Sequence, residues 1–195
     1  MPPILGDFQM LHLTLEPEPD NFDADVRQKG LNYLRKHPNA VHYPDYWNKD
    51  EVVQQFRRAY RYVCAYSGLR DHTGGEIDHF IPQSKNKQLI YEWSNYRLAF
   101  SLINKTKGNR LCVDPVNITD GDILLNFIDG SVYPNPKLSK DYRDRLQDTI
   151  HILGLNKSQF LETRLSIIDD YNSGDISKNY LAKDSPFVAY CILSA

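Results

Sequence analysis

Between residues 77 and 107 the sequence sets a carboxylate beside an imidazole, Asp78-His79, and follows them with Asn95, Asn104 and Lys107. These side chains are the parts that metal-assisted hydrolysis of a phosphodiester needs. A carboxylate and an amide carbonyl are hard oxygen ligands suited to Mg²⁺ or Mn²⁺, and a site with only two protein ligands leaves positions for water and phosphate oxygens. Asp78 and Asn104 are therefore the expected ligands of one divalent ion, which would stabilise the leaving oxygen. Histidine, with an unperturbed pKa of about 6.5, takes a proton from water at neutral pH, so His79 is the expected general base. Asn95 is the residue expected to hold the imidazole or its loop by hydrogen bonding. Asn104 and Lys107 are three apart and share one helix face, so a phosphate at the metal would also meet a cation. Lys85 and Lys87, in a loop with little apolar patterning, and Arg110 are further expected phosphate contacts.

Positioning these groups takes a strand, a loop, a second strand and a helix. Neighbours in a regular strand point to opposite faces, so Asp78 and His79 can serve one phosphate only where the strand ends or twists. The pattern predicts a strand from Glu76 to Ile81 closed by Pro82, a second from Tyr96 to Phe100, and a helix from Ser101 ending at Gly108. Upstream, a helix is predicted around Ala24 to Lys36. Another follows Trp47, where Asn48 and Glu51 are spaced as a capping box and Val52, Phe56, Ala59, Tyr60 and Val63 form an apolar stripe. Downstream, Ile123 to Ile128 turning at Asp129-Gly130 predicts a hairpin. Two amphipathic helices come next, marked by Tyr142 to Leu153 and by Phe160 to Ile168, with Gly154 and Gly174 as their stops. His72, in the turn Asp71-His72-Thr73-Gly74-Gly75, reads as a turn residue without a chemical role.

The whole-chain charge gives no reason to expect a nucleic acid: 23 basic and 25 acidic residues leave a net −2 over 195 residues. The distribution reverses that. From Phe56 to Leu111 there are ten basic residues and four acidic ones, a net of +6, which leaves −8 elsewhere. A basic middle in an acidic chain is an electrostatic footprint for a polyanion. The three cysteines are scattered with no Cys-x-x-Cys pair, so free thiols are expected rather than disulfides or a structural zinc. Residues 1–20 lack a basic start and an unbroken apolar stretch, and no run of about 18 apolar residues occurs, so a cytoplasmic protein without a membrane partner is expected.

The run Ile77-Asp78-His79-Phe80-Ile81-Pro82-Gln83-Ser84, then Ser94-Asn95-Tyr96-Arg97-Leu98, then Ile103-Asn104-Lys105-Thr106-Lys107-Gly108, resembles the HNH endonuclease motif in its His-Asn-Asn form. The resemblance covers about a quarter of the chain. It implies an α+β fold with a ββα-metal core over 62–111, after an N-terminal helical segment (1–61) and before a C-terminal hairpin and helical segment (112–195), all in one domain. It also implies Asp78 as metal ligand, His79 as general base, Asn95 as the structural Asn of the central loop, and Asn104 as the ligand of the third motif. Many members pin this core with two Cys-x-x-Cys pairs around zinc; here Cys64-Ala65-Tyr66-Ser67 keeps one cysteine and Leu102-Ile103 keeps none. The flanks, Glu16-Pro17-Glu18-Pro19 with the following Phe22 to Tyr33 segment, and the run Tyr91-Glu92-Trp93-Ser94-Asn95-Tyr96, resemble small HNH subunits paired with an ATPase in Septu-type anti-phage systems. The resulting expectation is a DNA endonuclease of antiviral defence, acting as a homodimer or with an ATPase partner. The alternatives are an RNA nuclease, and a nucleic-acid-binding or scaffold subunit that keeps the frame without turnover.

Overall fold

The structure is a computed structural model and describes residues 13–194; residues 1–12 of the N-terminal stretch read above lie outside it. The fold is mixed α+β, with helices around two small antiparallel hairpins. A π-helical turn, Asp23–Arg27, runs into α1 (Gln28–Lys36), and α2 spans Asp50–Ala59. The capping box at Asn48 does not form: Asn48 closes a 3-10 turn around the buried Trp47, and the helix starts two residues later behind Lys49. Asp50 and Glu51 instead supply negative charge to the first turn, where the helix dipole favours it. The predicted stripe holds for Val52, Phe56 and Tyr60, which are buried, but the helix ends before Val63.

The first hairpin pairs β1 (Glu76–His79) with β2 (Tyr96–Ala99), with Asp78 opposite Arg97 and His79 opposite Tyr96. β1 stops two residues short of the predicted Ile81. The reason is local: the Asn95 side chain takes over the Ile81 backbone N–H and C=O, and Pro82 has no N–H to continue the ladder. α3 (Ser101–Lys107) follows directly and ends at Gly108, whose φ of +54° is ordinary for glycine and strained for other residues.

The second hairpin, β3 (Ile123–Leu125) with β4 (Val132–Pro134), is shorter than predicted. Asn126 turns the chain early by accepting the Ile128 N–H on its side chain and the Gly130 N–H on its carbonyl. The connection is therefore wider than a two-residue turn, and Ile128 ends 90% exposed. α4 (Lys140–Leu153) and α5 (Ser158–Ser173) occupy the predicted positions, with Gly154 and Gly174 left-handed at their ends. Two short helices complete the chain, α6 (Lys178–Asp184) and α7 (Pro186–Leu193).

Two hydrophobic clusters form, and the first hairpin lies between them. One gathers Phe22, Trp47, Phe56, Tyr91, Trp93 and Tyr96; the other gathers Cys64, Tyr66, Leu146, Phe160 and Phe187 with both C-terminal hairpin strands. Because strand neighbours alternate, Ile77 and His79 face the first cluster while Glu76 and Asp78 face α3. On the far side of the first cluster, Gly30 of α1 meets the Tyr91 ring so closely that a β-carbon there would stand 2.1 Å from it.

Candidate functional site

The sequence-predicted residues are brought to one ββα unit, on two opposite sides of β1. On the α3 side, Lys107 Nζ lies 3.0 Å from each carboxylate oxygen of Asp78 and donates to the His79 carbonyl at 2.8 Å. Lys107 is 0% exposed, so in this arrangement it touches Asp78 and no solvent phosphate. The Tyr66 hydroxyl also donates to Asp78 Oδ2. Burial and the Asp78 charge push the Tyr66 phenol well above its ordinary value, which keeps it protonated as a donor. One helical turn earlier, Asn104 Nδ2 donates to Glu76 at 2.9 Å, and the Ser101 hydroxyl donates to the same carboxylate. Glu76, Asp78 and Asn104 thus bring hard oxygen donors to the seam between β1 and α3.

The His79 imidazole stands on the other side of the strand. Its Nε2 is 2.8 Å from the Ile90 carbonyl. A carbonyl only accepts, so in neutral His79 the proton sits on Nε2 and Nδ1 carries the lone pair that can take a proton. Trp47 packs edge-on at 4.6 Å and Tyr96 at 5.1 Å between ring centroids, leaving His79 8% exposed. This burial lowers the His79 pKa, against the smaller opposing pull of the Ile90 carbonyl and Asp78. The imidazole is therefore neutral at pH 7, as a general base must be.

Asn95 is the clamp between the two sides. Its Oδ1 accepts the Ile81 N–H at 2.8 Å, and its Nδ2 donates to the Ile81 carbonyl at 3.1 Å and the Leu89 carbonyl at 3.0 Å. The loop that carries Ile90, and with it the His79 hydrogen bond, is held by these three contacts.

The outlying basic residues divide. Lys85 is exposed in the loop between the strands. Lys87 donates to the carbonyls of Pro38 and Ala40, at 3.4 and 3.1 Å, and ties the loop to the chain after α1. Arg110 donates to the carbonyls of Thr106, Lys107 and Ile152, at the C-terminal ends of α3 and α4 where the helix dipole favours a cation. Arg97, counted in the +6 zone, is buried and makes a bidentate pair with Asp114, just outside that zone. Tyr66, Glu76 and Trp47 are the site residues that sequence reasoning missed. Only Glu76 carried a signal, since two residues before Asp78 places it on the same strand face.

Among the described residues, no three or more His, Cys, Asp and Glu side chains gather as a metal cluster, and no helix is long and apolar enough to cross a membrane. No protein family matches the chain, and no curated protein is similar enough to count as a relative.

Proposed function

We propose that the chain is a metal-dependent endonuclease of the HNH type that hydrolyses DNA phosphodiester bonds. The observation that carries this reading is the order of the unit: Asp78 and Asn104 both face the seam of β1 and α3, where Asp78 bonds Lys107 and Asn104 bonds Glu76, while Asn95 pins the loop whose Ile90 carbonyl sets the His79 tautomer. The residues present suit a divalent ion. The seam carries the carboxylate oxygens of Glu76 and Asp78 and the Asn104 amide, and a cation, the Lys107 ammonium, already stands against Asp78 and the His79 carbonyl. Asp78 and Asn104 would hold the ion, which supplies Lewis-acid stabilisation of phosphorus-bound oxygens when bound. His79 takes the proton of the attacking water on Nδ1; Lys107, released from Asp78, balances the phosphate charge; Asn95 keeps the imidazole in place. RNA is the alternative substrate, because the chemistry at phosphorus is the same.

A second reading, a nucleic-acid-binding or scaffold subunit without turnover, is favoured by one observation: the His79 ring and the Asp78 carboxylate lie on opposite faces of β1, with Asp78 neutralised by Lys107. Purified protein incubated with supercoiled plasmid in Mg²⁺, Mn²⁺ or EDTA, beside His79→Ala, separates the two. The nuclease reading expects nicked or linear product with metal, and a loss of about 10²–10⁴-fold in the variant. Undiminished cleavage by His79→Ala overturns the assignment. Retained binding without cleavage of duplex, single strand or RNA supports the scaffold.

A further inference from the structure

A groove of about 550 Å³ opens where the turn before β1, the start of α3, and helices α5 and α6 meet, a size suited to one small planar ligand. Its floor is apolar, made by Leu69, Phe100, Phe160 and Ile167. Phe100 is half-buried there and packs edge-on against Phe160, with ring centroids 5.7 Å apart, so it presents aromatic surface to the groove. The rim is rich in acceptors: Gln159, Glu162 and Asp184 all line it, and the His72 Nε2 rests 3.0 Å from Asp184. Ser185, 1% exposed, also lines it, and its hydroxyl has no hydrogen-bond partner. A buried hydroxyl without a partner is rare, and it marks a position where a polar ligand edge would be satisfied.

A phosphate is a poor occupant, because the lining sets three carboxylates, Asp71, Glu162 and Asp184, against one guanidinium, Arg70. A ring with an amino group is a good one: its face stacks on Phe100, and its amino hydrogens meet carboxylate and amide oxygens, as acidic side chains accept from cytosine N4. Phe100 immediately precedes α3, so it lies one helical turn, about 6 Å of rise, before Asn104. Adjacent nucleotides of an unstacked strand span that distance. We infer that the groove seats one unstacked, amino-bearing nucleobase of the polynucleotide, next to the phosphate that the β1–α3 seam would hold; the identity of that strand rests on the nuclease reading. His72, which the sequence left without a role, then forms the outer wall.

The test reads binding, in EDTA, so that no turnover is required. Fluorescently labelled single-stranded oligonucleotides are titrated with the protein by anisotropy, and an abasic residue is moved along the strand one position at a time. In the wild type one abasic position weakens binding about tenfold. Ser166→Trp, an exposed position on the groove wall that folds without repacking a core, weakens the intact strand by a similar factor and flattens the abasic profile. Added dAMP or dCMP at micromolar concentration leaves oligonucleotide binding unchanged. A flat abasic profile in the wild type, wild-type affinity in Ser166→Trp, or displacement of the strand by a free mononucleotide each overturns the inference. Base seating by a protein that cuts no plasmid keeps this inference and removes the nuclease reading; plasmid cleavage with a flat profile does the reverse.

Discussion

The Lys107 ammonium and the Asp78 carboxylate form a fully buried pair, 3.0 Å apart, and the same ammonium reaches the carbonyl of His79. One cation therefore sits against both residues of the Asp-His doublet. Removing either partner strands the other charge in the interior, which costs about 3–5 kcal/mol, whereas removing both costs much less. Urea denaturation of Asp78→Asn, Lys107→Met and the double variant should show strong non-additivity, the double variant being more stable than the sum of the singles predicts. Additive losses would mean that the pair does not exist in solution.

Asn95 replaces the missing end of a β-ladder with a side chain. Asn95→Ala leaves the Ile81 N–H and two carbonyls without their partners, and should lower stability by about 2–4 kcal/mol. Hydrogen exchange at the Ile81 amide should accelerate well beyond the change at β2, which keeps its own ladder. Equal acceleration throughout would show a global effect rather than a local clamp.

His79 makes stability depend on pH with a defined sign. Its folded pKa lies below the ordinary 6.5 because burial disfavours the imidazolium. Below about pH 6.5 the unfolded chain binds a proton that the folded chain refuses, so stability falls as pH drops from that value toward the lowered one. Thermal melts in EDTA between pH 7.5 and 5.5 should decline more steeply for the wild type than for His79→Gln. Parallel curves would sink the assignment of this slope to His79.

The cysteines should be nearly inert in the folded protein. Burial pushes the Cys112 and Cys191 thiols up to about 12 and raises Cys64 as well. Since the thiolate is the reactive form, labelling at pH 8 should run roughly 10³-fold slower in the native state than in urea. A thiol that reacts at the unfolded rate would show that its packing is looser than described.

The β1–β2–α3 unit was legible because its signals are local: period-two strands, a glycine stop after Lys107, and an Asn placed before the second strand. The length of β1 was not, since a side chain sixteen residues after its last residue decides where it ends. Charge arithmetic located the basic middle but counted Arg97 and Lys107 as surface charge. Both are interior, and Arg97 finds its carboxylate at Asp114, beyond the zone over which the charges were summed. Tyr66 was invisible for a similar reason: only the tight turn from Cys64 to Leu69, closed by backbone hydrogen bonds, carries its hydroxyl to Asp78. The short α6 and α7 fell below the length at which an apolar period stands out.

Gly30 gives the distant helix α1 a mechanical link to the imidazole. The glycine lies against the Tyr91 ring, the Tyr91 and Trp47 ring centroids are 5.6 Å apart, and Trp47 packs edge-on with His79 at 4.6 Å between centroids. Replacing a mid-helix glycine by alanine is a standard way to gain about 1 kcal/mol in a thermostabilised variant. At this position the added methyl group would drive a relay of three rings, so the same substitution would cost stability and displace the group at the far end. Engineering for heat resistance should leave this residue untouched.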